Sequence, residues 1–433
     1  MTAEIAIMNK EAVALAADSA VTSSLSGGKK IFTSADKIFA LSDTSPVGIM
    51  FYNSAKFMGV PWDTILKTFR RQLPKQGYDK LGDYISAFIK FLEKDNTIIT
   101  KNMQKEFLEN IALGYFLGII ADIENVVEKT TNERGPIDNK TIEDIALKII
   151  NDHANRWEET KGVLKSSISK NTSKKIVDNN KELIDKAIDI AFQNIPISKA
   201  RNRLFKIIEG LLYMGSNEQL NSGVVIAGFG EREAFPTLAH MVVEGLFDNK
   251  LKRGPITKRI IGVDSEAIVA AYAQREMVAR FMEGIDPLYK EIMVGYLSQL
   301  PEQFSEHLIR NLKRYKKSER QKIKNNLIKK YIKIIDDFHK NMVKEGEAKF
   351  SGPITNIVSV LPKSDLAALA ESLISLTIVK RKFSPESETV AEPIDVALIS
   401  KGDGFIWIKR KHYFHPDFNP GFFTRRYKEL RNE

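Results

Sequence analysis

Apolar and small residues alternate in two short stretches at the start of the chain. Ile5 and Ile7 mark the first stretch, and Val13 and Leu15 mark the second. A period of two is the pattern of a strand, and polar residues around Asn9 separate the two stretches. The sequence therefore predicts two strands joined by a turn near Asn9.

A second extended region follows. Residues 37–41, which are apolar after Lys37, and the apolar residues 47–52 flank a polar turn that ends at Pro46, so we predict a hairpin. A helix is predicted next, because Pro61 suits a first helical turn and the apolar residues after it recur at helical spacing. The predicted inward face of this helix consists of Ile65, Leu66, Phe69 and Leu73.

Strand patterns return in the middle and near the end of the chain. Residues 223–230 and 235–243 are two apolar runs, and residues 393–405 read as two strands joined by a turn at 401–404. Residues 361–382 carry leucines at helical spacing. We predict a strand pair, an amphipathic helix and a final strand pair from these segments.

Two long regions read as helical insertions. Residues 74–219 and 288–352 have patterns of helical period. The longest apolar stretch, residues 111–121, is shorter than the roughly 20 residues that cross a bilayer. We expect it to be a core helix and expect no membrane contact.

The positive charge of the chain is concentrated in one segment. The 433 residues include 65 basic and 55 acidic ones, a net charge of +10. The segment from Arg310 to Lys333 alone contains eleven basic residues and one acid, Glu319. It could contact nucleic acid or an acidic partner. We favour the alternative, a solvated helix face whose inward residues are Leu312, Tyr315, Ile323, Leu327 and Ile328.

Composition narrows the chemistry further. The chain has no cysteine, which excludes disulfides, thiolate catalysis and thiolate-bound zinc. No charged leader with an apolar core precedes the first strand, so we predict a cytoplasmic protein of bacterial type. His412, His415 and Asp417 stand close together in the basic and aromatic tail. We interpret them as surface residues, and we predict neither a metal site nor a cofactor.

Candidate chemistry begins at Thr2, which follows Met1 directly. After removal of Met1, Thr2 would carry both a hydroxyl and a free α-amine. An α-amine with an ordinary pKa of about 8 can take a hydroxyl proton near neutral pH. A lysine nearby would disfavour protonation of that amine, and a carboxylate would hold the lysine. Lys37 and Asp18 are the candidates for these roles.

These residues and the strands around them resemble the proteasome β-type subunits, which belong to the N-terminal-nucleophile hydrolases and include the two-ring bacterial protease that works with an ATPase. Thr2, Asp18, Thr22, Lys37 and the strand leading to Asn53 match the family near the start. Residues 223–230, 235–243 and 393–405 match its later strands. The resemblance implies an α+β fold, a four-layer αββα sandwich, here with two large helical insertions.

The resemblance also implies roles for single residues. Thr2 would be the nucleophile of a threonine endopeptidase, with Asp18 and Lys37 as its charge partners. Backbone N–H groups near Asn53 would bind the oxyanion. Thr22 would pair with the main chain of an extended substrate, and Ala20 would border the specificity pocket.

The chain departs from the family in the residues that support this core. Asn53 stands where the family usually has glycine, although asparagine tolerates a positive φ. Ala273 falls where an accessory serine is expected, and Ser387 and Val390 fall near an accessory aspartate and serine. These differences concern rate and specificity more than the type of reaction.

The predicted organisation follows from where the matches fall. Residues 1–73, 220–287 and 353–408 form the hydrolase core, residues 74–219 and 288–352 are the insertions, and residues 409–433 form a tail.

Two other functions stay open. One is a small-amide hydrolase on the same scaffold, and the other is a catalytically silent, proteasome-like binding protein. The resemblance implies a homo-oligomer that acts on peptides or proteins, and it suggests an ATPase partner.

Overall fold

A computed structural model describes residues 2–25, 28–42, 44–159, 166–197, 199–215, 221–312, 314–385, 389–421 and 424. The chain divides into two compact units. The first unit comprises Met1–Ser34, Ile261–Leu398 and Ile406–Glu433. The second unit comprises Ala35–Ile260 and Ile399–Phe405. Antiparallel sheets and helices make this an α+β protein.

The strands and helices follow one another in chain order through the described residues. The strands are β1 (Ala3–Met8), β2 (Ala12–Ala17), β3 (Val21–Leu25), β4 (Gly28–Phe32), β5 (Ile38–Ala40), β6 (Val47–Tyr52), β7 (Lys56–Phe57), β8 (Val60–Pro61), β9 (Ser222–Gly228), β10 (Thr237–Phe247), β11 (Lys250–Arg253), β12 (Thr257–Ile260), β13 (Ile268–Ala273), β14 (Asp395–Ser400) and β15 (Gly404–Lys409). The helices are α1 (Trp62–Arg70), α2 (Leu81–Lys94), α3 (Lys101–Arg134), α4 (Asn139–Glu159), α5 (Lys170–Asn179), α6 (Lys181–Ala191), α7 (Arg201–Tyr213), α8 (Glu276–Glu283), α9 (Pro287–Asn311), α10 (Lys317–Gly346), α11 (Gly352–Ser359) and α12 (Lys363–Lys382).

The sheet of the first unit has the strand order β13-β1-β2-β14-β15. The prediction of two strands around Asn9 is confirmed, and β1 pairs antiparallel with β2. Asn9 makes this turn because its side-chain oxygen accepts the backbone N–H of Glu11 at 2.9 Å. Its amide group donates to the carbonyls of Val358 and Leu361. The turn is therefore bonded to the end of α11 and to the segment that joins α11 and α12.

The core of the first unit lies between this sheet and α12. Alternate residues of β1 and β2, such as Ile5 and Ala14, pack with Leu366 and Leu373 of α12. The predicted amphipathic helix is thus confirmed. On the opposite side of β1, Met8 is also fully buried. Both faces of this sheet are therefore buried.

The sheet of the second unit has the order β11-β10-β9-β6-β5, with β12 pairing with β10. The predicted hairpin of β5 and β6 and the predicted pair of β9 and β10 are both confirmed. Helices α1 and α2 pack on one face of this sheet, where the Phe51 and Trp62 rings stack with their centroids 4.2 Å apart. The neighbouring Met50 and Val225 of the strands β6 and β9 are fully buried as well.

Helices α3 to α7 form a separate hydrophobic cluster in the second unit. The helix α3 is much longer than the apolar stretch 111–121 within it. It is the one helix in the described part of the chain that is long and apolar enough to cross a membrane by length and composition, which is weak evidence for a span. Phe116 of α3 is fully buried in the cluster, whereas Leu117 beside it is 52% exposed. The helix is therefore a core helix on one face only.

Helices α9 and α10 pack against each other and cover most of residues 288–352, the region interpreted as a basic helical insertion. Lys324 pairs across this contact with Glu306 at 3.0 Å and with Glu302 at 3.7 Å. Ile323 is half-buried, as are Leu327 and Ile328. The prediction that Tyr315 points inward is wrong, because Tyr315 lies in the turn before α10 and is 49% exposed. None of the residues described in α10 is fully buried.

Candidate active site

Thr2 lies directly before β1 and is 2% exposed. Its backbone carbonyl accepts the N–H of Gln274 at 3.1 Å, and the next residue, Ala3, pairs with Ala273 of β13. The main chain at Thr2 is therefore held in register by a neighbouring strand.

Asp18 fixes the residue next to Thr2. This carboxylate is 1% exposed, and its Oδ1 accepts the backbone N–H of Ala3 at 2.8 Å. Its Oδ2 accepts the N–H groups of Ala20 at 2.8 Å and Ala391 at 3.3 Å. Hydrogen bonds from backbone N–H groups stabilise a carboxylate charge that is removed from water. Asp18 thus orders the start of β1 around its own side chain.

Glu4 is a functional candidate that the sequence reasoning missed. The Thr2 hydroxyl donates a hydrogen bond to Glu4 Oε2 at 3.1 Å, and Glu4 is fully buried. Residues two apart in a strand lie on the same face of the sheet. A charged residue inside the otherwise apolar segment Ala3–Met8, two positions after Thr2, is a signal that the sequence contained.

The other candidates of the first unit come from three separate parts of the chain. Ala20 is fully buried, and the backbone of Thr22 pairs with Ile31 in the β3–β4 hairpin. Ala273 has a φ of 55° at the end of β13, a conformation that is uncommon for alanine. Ser387 lies outside the described residues.

Gln274 is itself held by a buried arginine. Arg381 of α12 is 3% exposed and donates to the side-chain oxygen of Gln274. Because Gln274 also bonds to the main chain of Thr2, Arg381 supports the start of β1 through one intermediate residue.

Glu276 at the start of α8 joins the same cluster. Its carboxylate accepts a hydrogen bond from Lys380 and lies 3.4 Å from Arg381 Nη2. The hydrogen bond from Lys380 is the main cause that lowers the pKa of Glu276 from its usual 4.5. The folded protein therefore holds fewer protons here than the unfolded chain does, so the pairing stabilises the fold above about pH 4.5 and is lost as the pH falls through the lowered pKa.

We expect Glu276→Gln to reduce the free energy of unfolding by roughly 0.5 kcal/mol at pH 7, a small effect because a partly exposed ion pair is screened by solvent. Urea denaturation at pH 7 and at pH 3 measures it, with the exposed Glu291→Gln as control. An equal loss at both pH values would contradict this assignment.

Lys37 and Asn53 belong to the second unit. Lys37 is 4% exposed and directly precedes β5, and its backbone carbonyl accepts the N–H of Phe51 at 2.9 Å. Asn53 follows β6 with a φ of 68°, and its side chain donates to Asn221 at 3.0 Å. Asn53 therefore has the left-handed backbone conformation, which glycine also adopts without steric cost.

The first unit thus brings together Thr2, Asp18, Ala20 and Ala273, while Lys37 and Asn53 are ordered within the second unit.

The His415 and Asp417 side chains of the tail form an exposed pair at 3.5 Å. Within the described ranges, no group of three or more His, Asp or Glu residues could hold a metal ion. Comparison with models of protein families and with curated proteins gives no match.

Proposed function

We propose that this chain is an N-terminal-nucleophile hydrolase, a threonine endopeptidase that cleaves peptide bonds through Thr2 after removal of Met1. The observation that carries the proposal is the ordered, buried position of Thr2 at the start of β1. Its main chain is bonded to Gln274, its neighbour Ala3 to Asp18, and its hydroxyl to Glu4. A loose terminal residue would need none of these contacts.

The proposed fold is the four-layer αββα sandwich of that class of hydrolases, enlarged by two helical insertions. Two features support it. Each unit has an antiparallel sheet with helices packed on one face, and strand residues of the opposite face are also buried, as at Met8 and Val225.

The proposed reaction proceeds through an acyl-enzyme. Thr2 Oγ attacks the scissile carbonyl, and the free α-amine can accept the hydroxyl proton near neutral pH. Lys37 would keep this amine unprotonated by repulsion between like charges, and Asp18 would keep the charge of Lys37 in place. Backbone N–H groups near Asn53 would stabilise the oxyanion, a contribution of about 3 to 4 kcal/mol for each donor. These roles of Lys37 and Asn53 rest on the family resemblance.

The proposal also covers how the enzyme would bind its substrate, where it would act and with which proteins it would assemble. A peptide would add as a strand beside Thr22, a mode in which main-chain hydrogen bonds supply affinity for many sequences. We propose a cytoplasmic homo-oligomer, with an ATPase as a possible unfolding partner. Mass photometry distinguishes monomer, dimer and ring, and affinity purification tests the unfoldase.

Intact mass and covalent labelling test the function. We expect the purified protein to lack Met1 and to form one adduct with a peptide epoxyketone, which requires both a hydroxyl and a free α-amine on the same residue. Peptide mapping should place the adduct on Thr2, and Lys37→Met should slow its formation.

Retention of Met1 together with the absence of an adduct would contradict a threonine peptidase and favour a silent binding protein. Turnover of small amides with inert peptides would instead favour the small-amide hydrolase.

A further inference from the structure

Glu4 is a carboxylate in a place where carboxylates are seldom found. It occupies the second position of β1, a strand whose six residues are all buried, and its own exposed fraction is zero. In the sheet it pairs with Ala17 of β2 and Tyr272 of β13. Burial of a carboxylate is costly unless it is hydrogen-bonded. The hydrogen bonds of Glu4 should therefore indicate why a carboxylate occupies this buried position.

The contact that stands out is with the proposed nucleophile. Thr2 Oγ1 donates to Glu4 Oε2 at 3.1 Å, and the two residues stand two positions apart where the chain enters β1. The main chain around the pair is fixed, because Gln274 bonds to the Thr2 carbonyl and Asp18 bonds to the Ala3 N–H. The donor and the acceptor are therefore aligned before any substrate arrives.

We propose that Glu4 is a catalytic base that accepts the hydroxyl proton of Thr2, an inference that rests on the proposed function. In acylation, the Oγ–H bond breaks and its proton moves to Glu4 Oε2. The Oγ–carbon bond forms, and the electron pair of the carbonyl moves to its oxygen. When the C–N bond breaks, the leaving amine takes the proton from Glu4.

Deacylation reverses these transfers with water as the nucleophile. Water adds to the ester carbon and gives a proton to Glu4. The bond between carbon and Thr2 Oγ then breaks, and Oγ takes the proton back. No other reactant is needed, and Glu4 ends as it began. The hydroxyl proton thus has two alternative acceptors, the α-amine of Thr2 and the Glu4 carboxylate two residues along the chain, and Glu4 takes it in the route written here.

Glu4→Gln tests the proposal, because glutamine keeps the shape and an acceptor oxygen but cannot take the proton. We expect kcat for a peptide substrate to fall by about 10²- to 10⁴-fold, the usual contribution of a general base, with little change in KM. The acidic limb of the pH profile of kcat should also change. Glu4→Asp should recover part of the rate, and Glu11→Gln, an exposed carboxylate in the β1–β2 turn, should leave it unchanged.

The possible failures are distinguishable. Wild-type turnover with an unchanged rate in Glu4→Gln would overturn the role of Glu4 and leave the peptidase intact. A slower Glu4→Gln with an unaltered acidic limb would make Glu4 a positioning residue and also overturn the proposal. Inactive wild-type protein without an epoxyketone adduct would overturn both proposals. If Glu4→Gln does not fold, the rate and pH profile of Glu4→Asp decide, and wild-type values there would refute the base.

Discussion

Thr2→Ala is expected to abolish peptide hydrolysis. The substitution removes the atom that would bond to the substrate, so no acyl-enzyme can form. In hydrolases that act through such a nucleophile, its loss lowers kcat on the order of 10⁶-fold. The protein should still fold but with a lower free energy of unfolding, because the lost hydroxyl bonds to the buried Glu4 and removing such a partner costs about 1 to 3 kcal/mol. Progress curves with a fluorogenic peptide, together with thermal unfolding, measure both expectations.

Two further variants make this result specific. Thr2→Ser keeps a hydroxyl at the same position and should retain measurable turnover and the epoxyketone adduct. Thr33→Ala removes a threonine that is exposed in the same unit and should behave as wild type. Wild-type turnover in Thr2→Ala would refute the proposed nucleophile directly.

Lys252→Met is expected to lower the free energy of unfolding much more than Glu276→Gln does. Lys252 and Glu244 form an ion pair in the second unit, with Nζ 2.9 Å and 2.8 Å from the two carboxylate oxygens and with side chains that are 2% and 3% exposed. Burial is the main cause that lowers the pKa of Lys252 below its usual value. Breaking a buried ion pair by removing one partner costs about 3 to 5 kcal/mol, because the buried carboxylate of Glu244 loses a cation that contacts both of its oxygens.

Urea denaturation of wild type and variant gives this loss as a shift in the transition midpoint. The double variant Lys252→Met with Glu244→Leu is the matched control, because it removes both charges and fills the space with apolar groups. Replacements of that kind range from neutral to stabilising by about 1 to 4 kcal/mol. A single variant as stable as the wild type would contradict the assignment of a buried ion pair.

Local patterns account for the parts of the fold that sequence predicts well. The turn at Asn9 depends on hydrogen bonds to residues two and three positions further along. The β5–β6 hairpin and α12 likewise follow from the periodicity of adjacent residues. Such features need no knowledge of distant segments, so reading along the chain is sufficient for them.

Burial is less predictable because it depends on neighbours that are distant in sequence. Phe116 and Leu117 are adjacent apolar residues of α3, yet one is buried and the other half exposed. Only the packing of the bundle decides which side of α3 is covered. The boundaries proposed for the core segments and insertions stay predictions, as do the roles assigned to Lys37, Asn53, Thr22 and Ala20.

In the candidate site, too, sequence predicts the residues that have a local signal and misses those that depend on distant partners. Thr2 and Asp18 could be singled out from the start of the chain, and Glu4 could have been added from its odd place in an apolar strand. Arg381 could not, because its partner Gln274 is 107 positions away. No local pattern indicates that a basic residue of a late helix will support the first strand.

Asp18 and Ser19 are bonded to residues that the ribosome adds 373 and 374 positions later. Asp18 accepts the N–H of Ala391, and Ser19 donates its hydroxyl proton to the carbonyl of Pro393. The segment that follows β2, whose Asp18 also bonds to Ala3 at the start of β1, therefore acquires these contacts only after residues 391 and 393 have been added. A nascent or truncated chain that stops before residue 391 would present Thr2 without this support, so we expect the proposed hydrolytic activity only in chains that extend beyond residue 393.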